Sequence, residues 1–113
     1  MQFLIIGRDS SDPKAKERRL TSRPAHIELG NKLRLSGNMW YGAALWDENN
    51  QMVGSMLLMD FPTETRLRDW LDNEPYVTGK VWETVEVQIC NVRDPWQFNR
   101  PKQWFIEREN HQR

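Results

Sequence analysis

An α+β domain with the element order βαββαβ is what this sequence predicts, on three patterns. Phe3 to Arg8 is a short apolar run that includes a glycine, as a buried strand requires. Asn38 to Trp46 and Gln51 to Asp60 read as strands flanking Asp47-Glu48-Asn49-Asn50, a hairpin signal. Trp82 to Val92 is the clearest strand, with Val85, Val87 and Ile89 alternating with Thr84, Glu86 and Gln88.

The segments between these strands carry helical signals. Asp9 to Pro13 is a polar loop with turn chemistry, and Lys14 to Leu20 can form a helical turn. Arg23 precedes a proline and is biased away from the right-handed helical region. Ser22 is then expected to cap a new helix with Pro24 in its first turn. Ala25, Leu29 and Leu33 recur every four residues and make one face, and Gly37 stands where a C-terminal glycine ends a helix. Pro62 to Leu71 is the second helix, with Leu67, Trp70 and Leu71 facing in, and Asn73-Glu74-Pro75-Tyr76 breaks it. Two helices on one face of a four-stranded antiparallel sheet is the ferredoxin-like plan.

That plan leaves the other sheet face open. The second hairpin strand has large apolar groups on both sides: Val53, Leu57 and Met59 on one, Met52, Met56 and Leu58 on the other. A strand apolar on both faces needs cover on both. Trp40 or Tyr41, Met52 or Val53 and part of the last strand are expected on the open face, and a second copy of the chain is the economical cover. The chain divides into residues 1–92, the domain, and 93–113, a polar extension that still holds Trp96, Phe98, Trp104 and Phe105. That extension is expected to lie across its own or the partner domain.

With 113 residues there is room for one core. Sixteen basic residues balance sixteen acidic ones, so no charge excess argues for nucleic acid or an anionic membrane. The same balance gives weak protection against self-association. Cys90 is the one cysteine, which fits a reducing cytoplasm and a buried, inert thiol. No apolar run approaches the roughly 20 residues of a membrane-spanning helix.

Certain residues set in this frame are familiar. Lys16-Glu17-Arg18-Arg19-Leu20 is followed by Arg23-Pro24-Ala25-His26, and later by Glu74-Pro75-Tyr76-Val77 before a strand near Val81-Trp82. This resembles the YCII-related family, which reads "RxxH" early and "DPY" or "DPF" before its last strand. The resemblance covers roughly residues 1 to 91. It implies a dimeric α+β barrel, in which two sheets pack through their open faces and a pocket lies between sheet and helices. It also implies an active site of a histidine and an acidic residue. The histidine falls on His26 and the acid on Glu74, where the family pattern has aspartate. Asp9 matches a frequent aspartate of the family and is a second acidic partner for His26. The glycine usual after the motif is displaced to Gly79, with Lys80 in its expected place.

An imidazole moves protons in either direction near neutrality, and a carboxylate on one ring nitrogen fixes its tautomer. His26 with Glu74 or Asp9 is therefore expected to act in acid/base catalysis. The reaction would be a lyase or isomerase step on a small cyclic or hydroxylated acid, with no metal and no cofactor. Arg8 and Arg23 are expected to bind a substrate carboxylate, and Tyr76 and Trp82 to wall the site. The other function considered is a non-catalytic ligand-binding or interaction module on the same dimer. Expected partners are a second copy and a small molecule, with neither nucleic acid nor membrane.

Other chemistries lack their residues. The second histidine, His111, is in the extension, so no multi-histidine metal site arises within one chain. No GxGxxG, phosphate-binding loop or GxSxG occurs. An RNA-recognition motif shares the element order, but Gln51 to Met59 has no ring on which a base could stack. A haem-degrading monooxygenase has no support in the spacing of Asn38, Trp70 and His26.

Overall fold

A computed structural model describes residues 1–93 of the chain. The elements are β1 (Gln2–Asp9), α1 (Ala15–Ser36), β2 (Met39–Trp46), β3 (Met52–Asp60), α2 (Glu64–Asn73), α3 (Pro75–Thr78) and β4 (Trp82–Cys90). The strands pair antiparallel in the order β2-β3-β1-β4. This is the predicted α+β plan with one short helix, α3, added. The aromatic residues of the extension, Trp96, Phe98, Trp104 and Phe105, lie outside the described residues, as does His111.

Register decides what each face carries. Phe3, Ile5 and Gly7 of β1 lie beside Met59, Leu57 and Ser55 of β3, and on the other side beside Ile89, Val87 and Val85 of β4. Side chains alternate along a strand, so these residues share the helix-covered face. Phe3, Ile5, Leu57 and Met59 join Leu67, Trp70 and Leu71 of α2, and Tyr76, Val81 and Trp82, in one buried cluster. Each such side chain stabilises the fold by about 1.5–3 kcal/mol.

The opposite face carries Leu4, Ile6, Met56 and Leu58, all half-buried, and Tyr41, which is exposed. Toward β4 it turns polar, through Thr84, Glu86 and Gln88. The last strand thus turns its valines to the helices rather than to the open face. Cys90 is half-buried, not buried as expected, because β4 is an edge strand.

The first helix departs most from the sequence expectation. One helix runs from Ala15 to Ser36, with Pro24 inside it and Arg23 helical. Proline costs the hydrogen bond to the carbonyl four residues back, that of Leu20. Leu20 is 68% exposed, so water can take up the freed carbonyl. Ser22 is consequently mid-helix instead of a cap. It packs against the end of α3, where a Cβ on Gly79 would come within 2.1 Å of the Ser22 hydroxyl. Gly79 is needed for that approach, and Lys80 takes the left-handed turn at φ 56°. Gly37 ends α1 at φ 83°, as predicted.

The remaining elements have local causes. Asp47 accepts the Asn49 and Gln51 backbone N–H groups at 2.8 and 3.0 Å and closes the hairpin, with Asn50 at φ 59°. Thr63 caps α2 through the Arg66 N–H. The segment read only as a helix breaker also starts α3, with Pro75 at its first position and the Glu74 side chain as its cap.

Asp12 ties down the entrance of α1. It accepts two hydrogen bonds from the Arg18 guanidinium at 2.9 and 2.6 Å, one from Ser10 Oγ at 2.6 Å and one from the Lys14 backbone N–H at 3.0 Å. These donors, Arg18 first, hold its carboxyl well below the usual carboxylate range. A depressed folded-state value stabilises the fold above the unfolded value of 3.8, and that contribution disappears as pH falls through the folded value. Asp12→Asn is therefore expected to flatten the decline in stability below about pH 4, read as denaturation midpoints against pH. Gly7 tests the packing, since a Cβ there would meet the Trp82 ring at 2.3 Å. Gly7→Ala is expected to lower stability by about 1–3 kcal/mol in chemical denaturation, with Trp82 fluorescence altered in the native state.

Candidate functional site

Because α1 is unbroken, Arg19, Arg23, His26, Gly30 and Arg34 fall along one stripe, each three or four residues from the next. The stripe faces β2 and β3 across a cavity of about 280 Å³. Met39, Gly42 and Ala44 of β2, Met52, Ser55 and Leu57 of β3, and Tyr76 are among the other residues that line it. A second, larger space of about 500 Å³ lies between the β1–α1 loop and the hairpin, and Arg19 and Met52 line both.

His26 and Glu74 meet at the cavity wall. His26 Nδ1 is hydrogen-bonded to Glu74 Oε1, and the same oxygen accepts the Tyr76 backbone N–H at 3.1 Å. Glu74 is only 2% exposed. A buried carboxylate persists when donors satisfy it, and here a helix-capping N–H and an imidazole do so. Glutamate in place of aspartate still closes the contact, since its longer chain reaches His26 while capping α3. With the carboxylate accepting from Nδ1–H, the neutral ring keeps its lone pair on Nε2.

Two aromatic rings fix the imidazole. Tyr76 stacks on it at 3.8 Å between centroids and 6° between planes. Trp82 meets it edge-on at 6.1 Å and meets Tyr76 edge-on at 5.6 Å. Trp82 is itself held by a 3.4 Å hydrogen bond from its Nε1 to Ser55 Oγ. Trp82 supports the site from behind and does not line the cavity, whereas Tyr76 does both. Burial pushes the Tyr76 phenol above its ordinary value, against the pull of Arg19 and Arg23, so it stays protonated at neutral pH.

Asp9 does not reach His26. Its carboxylate accepts two hydrogen bonds from Arg19 Nη1, at 2.9 and 2.7 Å. Burial pushes its carboxyl above the ordinary value, and Arg19 draws it back. Arg19 also lies over the Tyr76 ring, 4.9 Å from its centroid. Of the two arginines expected to hold substrate, Arg23 lines the cavity. Arg8 is exposed, and strand alternation puts it on the opposite sheet face. Arg19 and Arg34 were not anticipated. The signal for Arg19 was its spacing with Arg23 and His26, which a helix divided at Pro24 hides, while Arg34 follows His26 at helical spacing within the predicted helix itself. Among the described residues, no three His, Cys, Asp or Glu side chains are grouped to hold a metal ion.

Comparison with known proteins bears on the family and the fold. The YCII-related domain matches residues 1–96. Proteins named YciI from Escherichia coli and Shigella flexneri are each 29% identical over 94 residues, spanning 78% of this chain and 94% of theirs. Among solved structures, the 5-chloro-2-hydroxyhydroquinone dehydrochlorinase TftG of Burkholderia phenoliruptrix, in complex with 2,5-dihydroxybenzoquinone, is similar in fold. It has a TM-score of 0.69 and 19% identity, covering 80% of this chain and 94% of that one. On the strength of the domain match and the residues it aligns, this chain belongs to the YCII-related domain family.

Proposed function

We propose that the protein is an acid/base enzyme of the lyase or isomerase type, acting on a small cyclic or hydroxylated acid with His26 as the base. The observation that carries this reading is the His26–Glu74 pair at the cavity wall, in which one ring nitrogen is held by a carboxylate and the other would be left for a ligand. Nε2 would take a proton from carbon or oxygen. Glu74 would stabilise the imidazolium formed, and the stacked Tyr76 ring would hold it in plane. The base and its partner are both side chains, so the step needs no metal. The fold likeness to a dehydrochlorinase supports the reading as an analogy.

The dimer belongs to the same proposal. The half-buried patch of Leu4, Ile6, Met56 and Leu58 on the open sheet face is the surface through which the resemblance implies two copies pack. Chain neutrality places no charge barrier in the way. Met56→Glu is expected to yield monomers with the α1-side cavity intact, seen by light scattering after size exclusion. A wild-type chain that is monomeric at high micromolar concentration would remove this part.

The catalytic part is tested by screening small ring hydroxy acids, lactones and chlorinated hydroquinones for turnover, followed by absorbance and halide release. His26→Asn is expected to reduce turnover by at least about 100-fold while the circular dichroism spectrum is kept. Glu74→Gln, which keeps an oxygen for both donors but loses the charge, is expected to cost roughly 100-fold. If no compound is turned over and the His26 ring resonances ignore every acid, the protein is a binding or interaction module instead.

A further inference from the structure

We infer that Arg19 and Arg23 form a carboxylate-binding subsite beside His26, so that the ligand is a ring compound anchored by its own carboxylate. The inference rests on the cavity being the ligand site, as read above, and it adds Arg19, to which the sequence alone assigned no binding role.

Arg19 is 7% exposed, and it is a charge that folding has removed from water. Its hydrogen bonds to Asp9 both leave from Nη1. Its buried Nε has no acceptor among the described residues. A guanidinium is a planar fork whose donors match the two oxygens of a carboxylate. Here one branch is used by protein and a buried donor of the fork is not. Leaving a buried donor of a charged group unmade costs free energy, about 1–3 kcal/mol, and Arg19 itself lines the cavity beside Arg23.

The surroundings point the same way. Arg23 and Arg34 line the cavity, and their side chains have no hydrogen bond or ion pair among the described residues. The cavity lining itself contains three arginines and no acidic residue. The two nearby carboxylates are already engaged, Asp9 by Arg19 and Glu74 by His26. The phenol of Tyr76, kept protonated by burial, adds a neutral donor at the same wall. The site is therefore built for an anion.

Spacing sets the ligand's size. At 1.5 Å per residue, His26 lies about 4.5 Å along α1 from Arg23 and about 10 Å from Arg19. A carboxylate gripped at the Arg19–Arg23 end puts the far carbons of one six-membered ring at the imidazole. Arg34, on the other side of His26 and about 12 Å away along the axis, also lines the cavity and would attract the anion without gripping the same carboxylate.

The test compares benzoate with benzamide, which have the same shape but differ in charge, by NMR titration of the full chain. Benzoate is expected to shift the Arg19 and Arg23 side-chain N–H resonances and the His26 ring, and to bind at least ten times more tightly than benzamide. Arg23→Gln and Arg19→Lys are each expected to weaken benzoate at least tenfold and leave benzamide unchanged. Arg19→Lys keeps a positive charge for Asp9, and Arg23 is exposed, so neither change threatens the fold. Equal binding of the two probes, or benzoate affinity unmoved in Arg23→Gln, would overturn the subsite. His26→Asn separates the two claims. If it retains benzoate binding, the subsite stands whatever happens to turnover. If benzoate fails to bind anywhere while His26-dependent turnover exists, the catalytic reading survives and the subsite does not.

Discussion

A buried carboxylate must be matched by donors, and Glu74 is the point at which that requirement organises the molecule. Its two donors come from different parts of the chain: the Tyr76 N–H from the turn it caps, and the imidazole of His26 from a helix 48 residues earlier. Satisfying both fixes where α3 begins and how α1 is rotated about its axis. It also brings Tyr76 under His26, since a residue two positions after the cap is already committed to that turn. Loss of either donor would leave a buried carboxylate, 2% exposed, short of a partner. Sequence neighbours Glu74, Pro75 and Tyr76 thus act as one unit, supplying partner, helix start and ring.

The same rotation explains why α1 buries so little. Only Ala15 and Arg19 of its 22 residues are buried, although Leu29 and Leu33 rest against the core. A helix pressed fully onto the sheet would fill the space over β2. Instead its main contact is with α3, through Ser22 against Gly79, with a lesser one to β2 near Met39, while Gly30, Gly42 and Ala44 keep space between. The cavity is the gap left by a helix anchored along one side only. Its polar lining follows, because the positions facing the gap did not have to be apolar to hold the fold.

Much of the architecture could be read from the residues. Strand alternation at Val85, Val87 and Ile89, the Asp47–Asn50 turn and Gly37 each have a local cause, and local causes are what sequence exposes. Pro24 misled, because its local preference was outweighed. One missing hydrogen bond on an exposed flank is a small loss beside the contacts that continue on both sides of it. The error at Pro24 then hid Arg19, whose alignment with His26 exists only in an unbroken helix, whereas Arg34 lies two turns past His26 in the helix already predicted after Ser22. Asp9 was ambiguous for a different reason. It ends β1 near both Arg19 and the cavity, and a strand-end carboxylate goes to whichever cation the next helix presents. Nothing in the order of residues distinguishes a histidine three helical positions past Arg23 from an arginine four positions before it. The His26–Glu74 pair was legible through the family resemblance. By residue type alone, a lone histidine and a loop glutamate 48 positions apart carry little.

The two faces of the sheet make separate demands, and β1 and β3 meet both because alternation lets them. Phe3, Ile5, Leu57 and Met59 hold the helices, while Leu4, Ile6, Met56 and Leu58 sit beyond them on the far face. Between strands, the helix face is interrupted at Gly7, where the Trp82 ring lies over the backbone. A side chain at position 7 would displace Trp82, and with it the edge that meets both His26 and Tyr76. The absence of a side chain in the centre of the sheet is therefore part of what positions the imidazole. Trp82 is also the first residue of β4, so the strand register and the ring's position are set together. A one-residue slip of β4 would move Trp82 to the other face. The chemistry on the helix side consequently depends on the same pairing that sets which groups reach the open side.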